Sequence, residues 1–256
     1  MLPSSLNEMA SVVGGTVSGN PMISGLAIDS RKAVKGDLFV ALMAERDGHD
    51  FIVNAAESGA SAALVTKPTT ILPSICVTDT LDAMTALARG MRDSYPGQVF
   101  ALTGSQGKTS TRGFLASILT QMARRSGLES ILVTQGNLNN HLGVPLTMAC
   151  LRPHHPYALF ELGASAVGEI DHIASIVRPQ ISALLNARAA HLEGFGSIAG
   201  VIQGKGEIID QTAIDGTVVL NCDEPAFDEW VRRRGSRHVI SVGRNAADLI
   251  WSQTSD

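Results

Sequence analysis

Cysteine is scarce in this chain: Cys76, Cys150 and Cys222 are the only three among 256 residues. They lie far apart and show neither CxxC nor Cys/His spacing, which argues against a disulfide framework and against a structural zinc site. A basic excess is missing as well, because 20 Lys and Arg stand against 24 Asp and Glu, a net charge of -4. The composition therefore gives no indication of a nucleic-acid partner, although a specific site for a polyanion stays open.

Long apolar runs are also missing. No stretch reaches the roughly 18 apolar residues that a membrane span needs. The N-terminal residues 1–15 lack the basic region and the apolar core of a signal peptide. We therefore expect a protein without a membrane span, retained in the reducing cytoplasm.

Short apolar runs that alternate with turn signals predict an α/β fold with two domains. Residues 1–95 form the first, small domain, and residues 96–256 form a second one of the P-loop type with a parallel sheet. Pro and Gly in "YPGQ", residues 95–98, interrupt both periodicities and mark the boundary. Ligands of parallel sheets bind beyond the carboxyl ends of the strands.

The predicted elements follow from apolar spacing and turn residues. We predict strands at 23–29, 37–42, 62–66, 74–78, 99–104, 130–134, 157–163, 181–186 and 216–221. We predict helices at 49–60, 80–95, 109–125, 140–150, 168–177 and 197–212.

A glycine-rich loop joins the predicted strand at 99–104 to the helix that follows it. A full Walker A motif would place its first glycine at position 102, which is Leu102, so the strict pattern fails. Backbone N–H groups and the helix dipole still favour a phosphate here, Lys108 can neutralise it, and the Thr109 hydroxyl can join a Mg²⁺ shell. The alternative is a turn with an incidental lysine. The candidate ATP-binding residues of this stretch are Gly104, Ser105, Gln106, Gly107, Lys108, Thr109 and Ser110.

Further polar residues follow other predicted strands. Glu161 ends one strand, Asn186 ends another, and His191 comes shortly after it. A carboxylate and an imidazole at the sheet edge that carries the glycine-rich loop form a plausible magnesium site. Each residue taken alone is equally compatible with a solvated strand end or a helix start.

Three other groups of polar residues have less specific explanations. Lys205, with Glu207 two residues on, is typical of a solvated helix face, and Asn221, Asp223 and Glu224 suit either a nucleotide or an Asx turn. Three amides in "GNLNNHLG" are costly to bury unpaired, which favours a loop that faces a polar ligand. These amides belong to Asn137, Asn139 and Asn140.

Together these segments resemble the Mur ligase family. The resemblance rests on "TGSQGKTS", "GNLNNHLGVPLT", "ELGASAVGEI", "AAHLEGFGSIAGV" and "KGEI", in that order, and on "IDSRKAVKGDLFVAL" and "DGHDFI" near the N-terminus. It covers nearly the whole chain. It also explains the short loop, because the ATP-binding loop of this family has the pattern TGxxGKT[ST]. It implies an N-terminal UDP-binding domain and a middle ATPase domain.

The resemblance also implies an ATP-dependent amide ligase of peptidoglycan synthesis that adds D-alanyl-D-alanine to UDP-N-acetylmuramoyl-tripeptide through an acyl phosphate. Its cofactors would be ATP and Mg²⁺, and we expect a monomer. Lys108 would contact the phosphates, and Thr109, Glu161, His191 and a carbamylated Lys205 would hold Mg²⁺, with Lys108, Lys205 and His191 as the catalytic residues. Asn186 would lie near the nucleotide. The substrate-binding residues would be Asn137, Asn139 and Asn140 at the muramoyl-peptide and Ser30, Arg31 and His49 at the uridine nucleotide.

The sequence departs from the family pattern in three ways. Ser165 and Ala166 replace the usual Asn-His, Arg188 replaces a small residue, where it could pair with phosphate or crowd the metal, and the chain ends before the family's C-terminal domain. We therefore expect the 256 residues alone to bind UDP-peptide but to ligate poorly. Two alternatives stay open: a catalytically incompetent module that binds a UDP-sugar or a nucleotide, and a ligase for a different acid and amine.

Overall fold

The computed structural model describes residues 3–128, 130–244 and 247–251. The chain divides into two compact units between Tyr95 and Pro96. The first unit comprises Met1–Tyr95 together with Pro145–Pro153, and the second comprises Pro96–Val144 and His154–Asp256. Among the described residues, no helix combines the length and the apolar character needed to cross a bilayer.

The first unit is built on a mostly parallel sheet of five strands. The first unit has seven described strands, five of them in this sheet: β1 (Ser4–Ser5), β2 (Thr16–Ser18), β3 (Met22–Ile23), β4 (Gly25–Ala27), β5 (Asp37–Val40), β6 (Ala62–Val65) and β7 (Ser74–Cys76). Its helices are α1 (Leu6–Val13), α2 (Ile52–Ser58) and α3 (Thr80–Asp93), with 3₁₀ turns at Ser30–Lys32 and Gly48–Phe51. The sheet order is β2-β7-β6-β5-β4, with β2 antiparallel to β7, while β1 and β3 form a separate antiparallel pair.

The predicted strand at 23–29 is in fact two strands in two different sheets. The carbonyl of Gly36 accepts hydrogen bonds from both Ser24 N and Gly25 N, at 2.8 and 3.3 Å. This turns the chain between β3 and β4. A side chain at position 25 would also collide with Asp37, since a Cβ there would lie 2.2 Å from Asp37 Oδ1. Apolar spacing alone does not reveal such a turn.

The second unit contains a seven-stranded sheet that is parallel throughout, as predicted. Its strands are β8 (Gln98–Thr103), β9 (Leu132–Val133), β10 (Tyr157–Glu161), β11 (Ile181–Leu184), β12 (Thr217–Asn221), β13 (His238–Gly243) and β14 (Leu249–Ile250), in the order β14-β13-β12-β11-β8-β10-β9. Its helices are α4 (Lys108–Arg125), α6 (Glu169–Val177), α7 (Leu192–Phe195), α8 (Ile198–Gln211) and α9 (Phe227–Arg233), while α5 (Gly143–Ala149) runs into the residues that group with the first unit.

The strand register brings three candidate segments to one sheet edge. Glu161, the last residue of β10, stands opposite Leu102 of β8, and Leu184, the last residue of β11, stands opposite Thr103. The chain therefore leaves β8, β10 and β11 at the same edge, as parallel strands require. Leu119 of α4 packs on Leu102 and on Leu159 of β10 in a buried cluster, which fixes the helix that begins with Lys108.

Candidate functional site

The loop between β8 and α4 has the geometry of a phosphate cradle. Gly104 and Gly107 adopt φ values of +159° and +78°, conformations that favour glycine. A helix of 18 residues starts directly after Gly107, and no side chain among the described residues caps its first turn. The N–H groups at that end are therefore free to bind an anion.

Lys108 folds back over this loop. Its Nζ donates to the carbonyl oxygen of Gly104 at 2.7 Å and lies 3.4 Å from that of Ser105. Burial lowers the pKa of Lys108, and the negative charge of Glu161 opposes that shift. The two side chains are thus close enough to interact electrostatically. Thr109 and Ser110, which follow on the helix, are exposed.

The segment after β11 holds the loop in place. The Asn186 amide pairs with the backbone of Gln106 in both directions, at 2.9 and 3.1 Å, and Ser105 N donates to the Asn186 carbonyl at 3.1 Å. The N–H groups of Ser105 and Gln106 are therefore engaged within the protein. Asn186, predicted to lie near a nucleotide, reaches the loop that would hold one.

Glu161 is buried and only partly satisfied. Its Oε1 accepts a hydrogen bond from Asn139 Nδ2 at 2.9 Å. Its Oε2 lies 3.2 Å from the guanidinium of Arg112, which donates instead to the carbonyl of Gly136, so this oxygen has no hydrogen-bond donor among the described residues. A buried carboxylate oxygen without a donor is costly, and such an oxygen is a suitable ligand for a hard cation.

The three clustered amides have different surroundings. Asn139 contacts Glu161, whereas Asn140 caps its own turn by accepting from Leu142 N and Gly143 N at 3.2 and 2.9 Å. Asn137 is exposed. Asn140 also lines a cavity of about 270 Å³ together with His141, Glu169 and His172. Of these three side chains, that of Asn139 is the one hydrogen-bonded to Glu161.

Lys205 is 1% exposed, which contradicts the solvated helix face that its sequence context favours. Its Nζ donates to the carbonyl of Ala164 at 3.0 Å and lies 5.2 Å from the centroid of the Phe195 ring. Burial, assisted by the positive charge of Lys108, lowers the pKa of Lys205 to about 8, against the opposing charges of Glu169 and Glu207. Near pH 8, a substantial fraction of the protein molecules therefore carries Lys205 in its neutral form.

His191 lies at the start of α7 in a left-handed conformation, with φ of 53°. The imidazole is exposed and makes no hydrogen bond or ion pair within the described ranges. The turn that carries it packs on the end of the β10 segment, because a Cβ at Gly194 would lie 2.2 Å from the Ser165 carbonyl oxygen. The convergence of the His191 side chain on Glu161 stays a prediction.

The part of the chain that the structure describes contains no ready-made metal site built from carboxylate, imidazole and thiol side chains alone. Within residues 3–128, 130–244 and 247–251, no three His, Cys, Asp or Glu side chains lie together in a metal-binding arrangement. The predicted set contains only two such side chains, Glu161 and His191, and is completed by Thr109 and a modified Lys205. The donorless oxygen of Glu161 is the feature that fits Mg²⁺.

The predicted uridine-nucleotide residues lie in the first unit. Asp29 forms a two-pronged pair with the Arg31 guanidinium, whose hydrogen bonds lower the pKa of Asp29 to about 2, and Ser30 between them is buried. His49 Nε2 accepts from Thr66 N at 3.0 Å, and Nδ1 pairs with Asp47 at 2.5 Å. Both ring nitrogens of His49 are therefore engaged within the protein.

Sequence reasoning missed the residues that organise the site. Arg112 beside Glu161 has no motif, although its spacing three residues after Thr109 puts it on the same helix face. Glu207 is buried and caps α6 by accepting from Gly168 N and Asp171 N at 2.7 and 2.9 Å. Glu224, for which the sequence allows either a nucleotide contact or a turn, is buried against the segment that follows β11.

A parallel α/β unit with a glycine loop, a lysine at the start of a helix and a buried carboxylate on the adjacent strand defines a nucleotide-binding protein of the P-loop type. Comparison with known families is more specific. The Mur ligase middle domain matches residues 102–255, and the Mur ligase family, catalytic domain, matches residues 22–100. The chain belongs to the Mur ligase family, which confirms the resemblance and the predicted fold class.

Individual relatives extend this finding. The chain is 41% identical over 258 residues to the UDP-N-acetylmuramoyl-tripeptide--D-alanyl-D-alanine ligase of Escherichia coli, covering 100% of this chain and 56% of the relative. It is 34% identical to the ligase of the same name from Bacillus subtilis, covering 88% and 50%. The chain spans about half the length of the curated relatives it matches.

Solved structures agree with the sequence relatives. MurF from Acinetobacter baumannii superposes with a TM-score of 0.86 at 34% identity, covering 95% of this chain and 54% of that one. The MurF ligase from Thermotoga maritima in complex with ADP gives 0.77 at 31% identity, covering 90% and 52%. The second of these proteins therefore binds an adenine nucleotide.

Proposed function

We propose that this chain provides the nucleotide-binding and acid-substrate-binding parts of an ATP-dependent ligase that joins D-alanyl-D-alanine to UDP-N-acetylmuramoyl-tripeptide. The observation that carries the proposal is that the loop with Lys108 and the buried Glu161 lie at the same edge of the parallel sheet. The names of the E. coli and B. subtilis relatives support the substrate pair. Use of ATP and a UDP-linked acid points to a cytoplasmic protein, and we propose that it acts as a monomer.

In this proposal ATP binds at the free N-terminus of α4. The N–H groups from Gly107 to Ser110 face the phosphates, and Lys108 exchanges its bonds to loop carbonyls for bonds to phosphate oxygens. A charge-assisted bond to phosphate is stronger than a bond to a neutral carbonyl. Ser105 and Gln106 shape the loop through Asn186 rather than donating to phosphate themselves.

Magnesium would be held by Thr109, Glu161 and His191, and it would supply neutralisation of the phosphate charge. The donorless Oε2 of Glu161 is the observation that makes this residue set suitable. Arg112 would balance the Glu161 charge when no metal is bound. Asn139, which donates to Oε1, would keep the carboxylate in its orientation.

Lys205 would be carbamylated, since a neutral amine adds to CO₂ with formation of an N–C bond and release of a proton. The lowered pKa makes the neutral amine available near physiological pH. The carboxylate thus created would face the Lys108 side of the site and add a ligand for a second Mg²⁺.

The acid substrate would use the remaining predicted residues of each unit. Ser30, Arg31 and His49 would line the uridine-nucleotide site of the first unit, with His49 acting through the Asp47 and Thr66 contacts that fix its turn. The muramoyl-peptide would lie near Asn137, Asn139 and Asn140, and the cavity beside Asn140 is a candidate for part of the peptide.

The chemistry is a transfer between substrates. The terminal carboxylate of the peptide attacks the γ-phosphorus, ADP leaves, and an acyl phosphate forms. The amine of D-alanyl-D-alanine then attacks the acyl carbon, phosphate leaves, and the amine loses a proton. The protein contributes positioning and charge neutralisation, with Lys108 stabilising the transferred group.

The test combines nucleotide binding with turnover. ADP with Mg²⁺ is titrated calorimetrically into the wild type, Lys108→Ala and the charge-matched control Lys35→Ala, an exposed lysine of the first unit. We expect Lys108→Ala to weaken binding about tenfold or more, the loss of roughly one charge-assisted hydrogen bond, and Lys35→Ala to bind normally. Equal binding by all three proteins would show that the loop does not hold phosphate.

Turnover then tests the substrates. ADP release is followed with UDP-N-acetylmuramoyl-tripeptide, with and without D-alanyl-D-alanine. Release that requires both compounds supports the proposed pair. Release with another amine only would identify a ligase with different substrates. Nucleotide binding with little or no release is the result expected if these 256 residues supply only the binding parts of the enzyme.

A further inference from the structure

The loop between β8 and α4, residues 104–107, is called the phosphate loop. It is hydrogen-bonded to the residues that follow β11, positions 185–188, which we call the bracing segment. Ser105 N and Gln106 N donate to the backbone and the side chain of Asn186. The Ser105 hydroxyl accepts from Arg188 N at 2.9 Å and donates to the Arg188 carbonyl at 3.1 Å. Two consecutive loop residues are thus hydrogen-bonded to this segment.

One buried carboxylate holds the bracing segment in turn. Glu224 is 4% exposed, its Oε2 accepts from Ala187 N at 3.2 Å, and its Oε1 pairs with the Arg188 guanidinium at 2.5 Å. A buried carboxylate without a cation is strongly destabilising. The Arg188 side chain, which is 50% exposed, supplies that cation from the rim of the site.

We propose that Arg188 and Glu224 form a positioning pair that sets the phosphate loop for nucleotide binding. Arg188 neutralises Glu224, Glu224 fixes the Ala187 and Arg188 backbone, and this backbone orients Ser105 and Gln106. The pair acts through the loop and does not touch the nucleotide. The inference rests on the proposed function only for the identity of the ligand.

The alternative role for Arg188 is direct contact with phosphate, and the two roles predict different outcomes for Glu224. A positioning pair requires both partners, so loss of either one disturbs the loop. A direct phosphate contact requires only Arg188, and removal of Glu224 would free the guanidinium and tighten binding.

The binding experiment titrates ADP with Mg²⁺ into Arg188→Met, Glu224→Leu and the double variant. We expect each single variant to bind about tenfold more weakly and the double variant to be no worse than either single one, because charge and counter-charge are then removed together. Arg124→Met, at an exposed arginine near the end of α4, serves as the charge-matched control and should bind as the wild type does. Arg188→Lys keeps the charge and should recover most of the affinity.

Amide hydrogen exchange measures the loop directly and needs no ligand. We expect the Ser105 and Gln106 amides to exchange about tenfold faster in both single variants, whereas the Leu162 amide, bonded to Leu102 O within the sheet, keeps its rate. If the wild type does not bind ADP, the proposed function fails. The exchange rates still test whether Arg188 and Glu224 position the phosphate loop, because they need no ligand. Unchanged loop exchange, or weaker binding in Arg188→Met together with tighter binding in Glu224→Leu, would overturn the proposal.

Discussion

At the scale of single residues, Lys205 has the most consequential environment. A lysine whose pKa falls from 10.5 to about 8 on folding loses its proton earlier in the folded than in the unfolded protein. Between these two pH values the unfolded chain binds more protons, so the free energy of unfolding rises with pH. The full difference corresponds to on the order of 3 kcal/mol.

We therefore expect the wild type to gain about 2 kcal/mol relative to Lys205→Met between pH 7 and pH 9.5. Urea unfolding in CO₂-free buffer measures this difference without carbamate formation. The range stops below pH 10 because burial raises the pKa of Tyr95 to about 12, which destabilises the folded protein once tyrosine ionises in the unfolded chain. The exposed control Lys35→Met should show no such difference, and a constant gap between wild type and Lys205→Met would refute the buried, neutral lysine.

The sequence predicted the residues that carry charge but not those that place them. Lys108 starts the helix that follows β8, and Glu161 ends β10. Because parallel strands end at one edge, the sequence predicted that both lie there, while their roles stay predictions. The Asn186 contact with Gln106 joins positions 80 residues apart. Such partners depend on tertiary packing, which local spacing does not encode, and the burial of Lys205 was misjudged for the same reason.

At the scale of elements, the tight packing of α7 places His191. A Cβ at position 194 would lie 2.2 Å from the Ser165 carbonyl oxygen, a backbone atom that cannot move aside easily. We expect Gly194→Ala to lower the free energy of unfolding by about 1 to 3 kcal/mol, the usual cost of overpacking. It should also weaken any metal binding that uses His191.

Gly113 of α4 provides the matched control, because it is exposed and a Cβ placed there would meet no described residue within 4 Å beyond its own helix turn. Gly113→Ala should raise the free energy of unfolding by about 0.5 to 1 kcal/mol, as alanine is the better helix former. Thermal and urea unfolding of both variants provide the comparison. Equal stability of the two variants would mean that α7 does not pack against the Ser165 turn.

At the scale of the whole chain, each of the two units has a buried apolar cluster of its own. Phe39, Ile52 and Val65 belong to the buried cluster of the first unit, and Leu102 and Leu159 belong to that of the second. Proline and glycine in residues 95–98 predict a domain boundary there, and the domain bounds 1–95 and 96–256 stay a prediction. The grouping of Pro145–Pro153 with the first unit could not be predicted from the sequence. It depends on tertiary contacts of a segment that follows α4 in the chain.

Two units with their own cores predict that each ligand protects its own unit. Saturating ADP with Mg²⁺ should slow amide exchange around residues 104–110, and a UDP-sugar should slow it around residues 29–32 and 47–49. With ligand at about 100 times its dissociation constant, binding adds roughly 2.7 kcal/mol, so amides that exchange only from the unbound state should slow about 100-fold. Exchange followed by mass spectrometry resolves these peptides. Protection of the 29–49 region by ADP, or of the 104–110 loop by the UDP-sugar, would show that the ligands are assigned to the wrong units.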